Sequence, residues 1–89
     1  MANEESPSRL ACPCCGNLTL EGLTGHYDIC PVCYWEDDPL QREEPAMAVG
    51  ANVVSLRMAQ ENYRKFGASE LTFRHLVRVP LESELKKSH

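Results

Sequence analysis

No apolar run in this chain is long enough to cross a membrane. Its first ten residues, MANEESPSRL, are polar and acidic and lack the apolar core of a signal peptide. The expected location is therefore the cytoplasm. There is no glycine-rich loop of the kind that cradles phosphate, and no internal repeat beyond two short cysteine loops. Length is also scarce. At 89 residues the chain makes one domain, near the size where a hydrophobic core alone is marginal. Basic charge is missing where a nucleic-acid-binding ribbon would carry it. Residues 1–45 hold nine acids and two bases, whereas residues 46–89 hold four acids and seven bases. The halves balance at −7 and +3, which sum to the net −4. Five of the seven bases of the second half, Arg57, Arg64, Lys65, Arg74 and Arg78, are the only support for a nucleic-acid reading. Complementary packing of the two halves is the simpler account of the asymmetry.

Cysteine is what the chain has in quantity. CPCCG at residues 12–16 and CPVC at residues 30–33 each contain a C-x-x-C pair, Cys12 with Cys15 and Cys30 with Cys33. Fourteen residues separate Cys15 from Cys30, one short of the usual spacing for a four-cysteine zinc site. A structural zinc takes four ligands in a tetrahedron, and two such loops facing each other supply them. Pro13 and Pro31 follow the first cysteine of each pair and preset the bend. Gly16 follows the first pair and can close its turn at positive φ. Tyr34 occupies that place after the second pair, so the second loop is expected to be less tightly wound. The expected cofactor is one structural Zn2+, with iron in a rubredoxin-like site as the lesser alternative. Disulfide pairing fits poorly with an odd cysteine count and a reducing compartment.

The fifth cysteine, Cys14, lies between the ligands of the first pair. Its side chain is expected to point away from the metal towards solvent, as a candidate reactive thiol or a spectator. A C-x-C choice using Cys12 and Cys14 is a further option. Trp35 can shield the metal from water. The run Trp35, Glu36, Asp37 and Asp38 is the candidate partner-binding segment, within a long acidic loop over residues 34–51. No catalytic residues are assigned, because a four-thiolate zinc leaves no open position for water.

Alternating residues in 17–21 and 26–30 predict two strands that form a hairpin, with one cysteine loop at its start and the other at its end. A helix is expected over residues 52–66. Asn52 or Ser55 is its cap, Leu56, Ala59, Tyr63 and Phe66 form its apolar face, and Gly67 lies just past its end. A shorter helix is expected from Ser69 or Glu70 to about Val77, stopped by Pro80. His26 and His75 are treated as ordinary residues. The fold class is small α+β, a zinc-ribbon or rubredoxin-like hairpin followed by one long and one short α-helix. Residues 1–9 form a disordered lead-in, 10–80 the domain and 81–89 a flexible tail.

The stretch CPCCGNLTLEGLTGHYDICPVCYWEDD, followed by GANVVSLRMAQENYRKFGAS, resembles the bacterial cysteine-rich CPCC family. The resemblance spans roughly Leu10 to Pro80. It implies a small metal-binding fold and no established activity. The leading functional reading is a zinc-binding protein-interaction module. A thiol- or redox-responsive protein using Cys14, with zinc released on oxidation, is the first alternative. A nucleic-acid-binding ribbon is the second.

Overall fold

The computed structural model describes residues 9–21 and 25–85. The lead-in up to residue 8, the middle of the expected turn at 22–24 and the last four residues lie outside these.

The chain opens with strand β1 (Leu10–Ala11), runs through the first cysteine loop and returns as strand β2 (Leu18–Leu20). The two strands pair antiparallel, Leu10 opposite Leu20 and Ala11 opposite Leu18, with an irregularity between. The hairpin thus exists, but it closes around the first cysteine loop rather than between the two. The segment expected as its second strand, 26–30, makes a single bridge from Ile29 to Glu36 around the second loop. The reason is local. Each C-x-x-C turn reverses the chain, so its own flanks are the nearest pairing partners.

Helix α1 (Pro39–Glu43) follows, inside the stretch expected as an unstructured loop. Asp38 caps it, its Oδ1 accepting from the N–H groups of Leu40 at 2.8 Å and Gln41 at 3.3 Å. Pro39 sits at the first turn, where its missing N–H costs nothing. Helix α2 (Leu56–Phe66) is the expected long helix. Ser55 caps it through Met58 N–H at 3.1 Å, and Gly67 ends it in a left-handed conformation. Leu56 and Ala59 are buried in the core, and Tyr63 packs against it. The second expected helix shrinks to a 3₁₀ turn at Leu71–Phe73.

Asn52 does not cap α2. It belongs to a buried amide lock that holds the 44–55 connection. Gln41, fully buried, accepts from the Asn52 N–H and side-chain amide at 3.0 and 2.9 Å. Its own amide donates towards the carbonyls of Met47, Asn52 and Val54 at 3.0–3.1 Å. A connection of this length would otherwise carry unpaired buried backbone groups. Gly50 passes so close that an added Cβ would fall 2.7 Å from Asp38 and 2.9 Å from Gln41.

The chain past Pro80 is more ordered than a tail through residue 85. Glu84 is buried and takes a two-pronged bond from Arg78 at 2.9 and 2.8 Å. It also accepts from Leu81 N–H at 2.8 Å and reaches Arg9 at 3.5 Å.

Candidate metal centre

The two cysteine loops have the same backbone design. In the first, Gly16 N–H donates to Cys12 C=O at 2.7 Å, and Cys12 N–H donates to Asn17 C=O at 2.9 Å. In the second, Tyr34 N–H donates to Cys30 C=O at 2.7 Å, and Cys30 N–H donates to Trp35 C=O at 2.9 Å. Both loops need a left-handed residue after the second cysteine. Gly16 supplies it at φ 82° and Tyr34 at φ 70°. The second loop is therefore as tightly wound as the first, contrary to the reading of Tyr34 as a loosening residue. For a non-glycine residue this conformation costs about 1–2 kcal/mol. The Tyr34 ring packs on Phe73, with centroids 4.8 Å apart and planes tilted by 48°, which offsets part of that cost.

These loops bring the sulfurs of Cys12, Cys15, Cys30 and Cys33 within 4.8 Å of one another. Cys12 and Cys33 are 3.5 Å apart, and Cys15 and Cys30 are 3.8 Å apart. A tetrahedron with metal–sulfur bonds of about 2.3 Å has edges of about 3.8 Å, so the four sulfurs suit one tetrahedral ion. The soft donor set points the same way. Cys12, Cys30 and Cys33 are buried and Cys15 is half-buried. No disulfide joins any of the five cysteines.

Close packing makes the four thiols unequal. Hydrogen bonding from Cys12 holds Cys15 and Cys30 below the ordinary thiol value. Thr19 adds to this through a 2.9 Å contact between its Oγ1 and the Cys30 sulfur. Cys12 is pushed up, first by its contact with Cys15, and Cys33 is pushed up, first by Cys12. Four anionic sulfurs at these distances repel one another strongly, and a divalent cation removes that repulsion.

The remaining structure braces the two loops by different means. The Gln60 side chain on α2 donates to Pro13 C=O at 2.9 Å in the first loop. The second loop is held by the C-terminal segment, with Ser69 N–H on Cys33 C=O at 2.8 Å and Arg78 N–H on Pro31 C=O at 3.3 Å. Trp35 is fully buried in the same cluster as the cysteines. Its indole N–H has no hydrogen-bond acceptor among the described residues.

Two expectations need correction. Cys14 is 7% exposed and packs in the core rather than facing solvent. The candidate partner-binding run is mostly inside the fold. Trp35, Asp37 and Asp38 are buried, and only Glu36 is partly exposed. Asp37 accepts two bonds from Arg42, both at 3.0 Å, and one from Gly25 N–H at 2.8 Å. Besides capping α1, Asp38 accepts from Ala51 N–H at 2.8 Å. The Ala51 bond is the first cause holding its carboxyl below the usual range. These acids are internal fasteners.

Sequence reasoning missed Thr19, Gln60, Gln41 and Glu84. Only Thr19 left a trace, as a small hydroxyl residue between two leucines of a strand. His26 and His75 are both exposed and lie outside the cluster of four. No helix among the described residues is long and apolar enough to cross a membrane.

No curated protein matches the chain. The sequence model described as Cysteine-rich CPCC matches residues 10–84, from the first strand through the buried Glu84, and the chain belongs to that family.

Proposed function

We propose that this is a small zinc-binding protein whose metal is structural and whose exposed faces bind another protein. The observation that carries the metal reading is the set of four cysteine sulfurs within 4.8 Å, three of the cysteines buried. Four thiolates complete a tetrahedral zinc and leave no place for a reacting water. The ion would supply a cross-link between two loops that share little regular structure. Five free cysteines fit a reducing compartment, which supports the cytoplasm as the location.

Support for the interaction role comes from the surface. Val53, Leu71 and Val79 are 72%, 59% and 80% exposed, although the core is small. Each offers a partner an apolar point of contact. The alternatives have less behind them. Burial of Cys14 works against a fast-reacting thiol. Glu84 engages Arg78, one of the few basic residues that favoured nucleic acid.

The test is to purify the tagged protein under native conditions, measure its metals and identify what remains bound. The reading expects one zinc per chain, no red colour from iron, and a defined protein partner that also retains this chain when used as bait. Iron in place of zinc would overturn the choice of metal. A chain that binds nucleic acid at low salt and no protein would overturn the interaction reading.

A further inference from the structure

A small cleft lies on the outer side of the second cysteine loop. Its volume is about 180 Å³, below the roughly 300–1,000 Å³ of sites that enclose cofactors or drug-sized ligands. That is room for one side chain. The Tyr34 and Phe73 rings, packed on each other, form one wall, and Ile29 and Val53 add apolar surface. Two acidic residues, Glu36 and Glu70, line the same space. Among the described residues no Lys, Arg or His lines it, and neither carboxylate has a salt bridge or a side-chain hydrogen bond. Burial also pushes the Glu70 carboxyl up, as expected for a partly desolvated acid without a cation beside it.

The floor is rigid. Asn52 clamps the backbone of Glu36 in both directions, donating to its C=O at 2.8 Å and accepting from its N–H at 2.9 Å. Asn52 is itself held by Gln41. The Tyr34 wall is present despite a backbone conformation that glycine would adopt freely, as it does at Gly16. Strain kept at one position of a repeated design points to a use for the side chain there.

We propose that this cleft receives a single lysine or arginine side chain of a partner protein. The aromatic faces and apolar wall take the aliphatic stem and attract the cation, and Glu36 and Glu70 pair with the charge. This rests on the interaction reading and supplies the partner chemistry that reading leaves open.

The test is an amide-resolved NMR titration of the metal-loaded protein with three capped tripeptides, Ala-Lys-Ala, Ala-Arg-Ala and Ala-norleucine-Ala. Saturable shifts are expected at Tyr34, Asn52, Val53 and Phe73 with the lysine or the arginine peptide, weakening as salt rises. Norleucine has the stem without the charge and should bind at least about tenfold more weakly. The double variant Glu36→Gln/Glu70→Gln should lose the same factor while keeping its metal and its dispersed spectrum. Equal binding of the norleucine peptide, shifts scattered over the surface, or an unaffected double variant would each overturn the proposal. The same shifts on concentrating the protein alone would assign the cleft to a second copy and overturn it too. If the double variant still retains an identified partner at full strength, the cleft assignment fails and the interaction reading stands.

Discussion

The two cysteine loops are one backbone design executed twice. Matching hydrogen bonds agree to within 0.1 Å, and the residue after the second cysteine is left-handed in both. They differ in what surrounds that residue. An added Cβ at Gly16 would meet nothing within 4 Å, so the first loop has no packing to gain from a side chain. Tyr34 in the second loop lies against Phe73 and walls a cleft. The first loop is built for minimum strain, and the second accepts strain to place an aromatic ring.

The most severe way to break the comparison is to remove the ion proposed to join the two loops. Apparent free energies for structural zinc are about 10–16 kcal/mol, as large as the whole stability of a domain this size. Stripping the metal with a chelator, or changing Cys12 or Cys33 to Ser, should therefore unfold both loops together. Near-ultraviolet circular dichroism of the buried Trp35 reads this. Loss of only one loop's signals by NMR would show that the two are independent.

Next in size is the buried acid just beyond the second loop. Asp37→Ala removes three hydrogen bonds and leaves Arg42 without its partner. Hydrogen bonds to a charged group are each worth about 1.5–3 kcal/mol, and Arg42 is partly exposed, so a total loss of about 2–4 kcal/mol is expected. Urea unfolding of the metal-loaded protein measures it. A change below about 0.5 kcal/mol would return Asp37 to the role of a solvated acid.

The swap of the paired positions sharpens the contrast. Gly16→Ala should cost about 1–2 kcal/mol, because it adds left-handed strain with no compensating contact. Tyr34→Gly relieves similar strain but loses the Phe73 contact, worth about 0.5–1.5 kcal/mol, together with buried area. Its net effect should be smaller than that of Gly16→Ala. If Tyr34→Gly were strongly stabilising, the ring would be contributing nothing to the fold.

The smallest effect is one of pH. The Asp38 carboxyl is held below its ordinary value, so its ionised form favours the folded state. That contribution is fully present above the unfolded carboxylate value of about 3.9 and is lost as pH falls through the lower folded value. Asp38→Asn keeps an N-cap oxygen and removes the charge. The stability gap between wild type and this variant should stay constant above about pH 5 and narrow below about pH 4. A gap that widens on acidification would contradict the sign.

What could be read from the sequence was whatever a few adjacent residues decide. The two C-x-x-C loops, the Ser55 cap, the Gly67 stop and the Leu56, Ala59 and Tyr63 stripe of α2 are local patterns, and the structure brings the four cysteines together and packs that stripe on the core. The rest depended on distant partners. Trp35-Glu36-Asp37-Asp38 reads as an exposed acidic loop until Gly25, Arg42 and Ala51 arrive to satisfy the buried carboxylates of Asp37 and Asp38. Glu84 looks like part of a charged tail until Arg78 and Arg9 converge on it. Tyr34 is a poor residue for a tight turn by its own preference, and the distant contact with Phe73 that offsets the cost leaves no mark beside it in the sequence. The position of Cys14 between two clustered cysteines predicts an outward side chain, but its thiol packs into the core cluster instead.

The central claim is that one ion, held by two cysteine loops, is what makes this chain fold. The most direct test is native mass spectrometry during a chelator titration, with Trp35 fluorescence and a free-thiol count on the same samples. The account predicts a single metal per chain, no fast-reacting thiol while it is bound, and metal loss that coincides with loss of tertiary structure. A folded chain without metal, its cysteines free or paired, would contradict it.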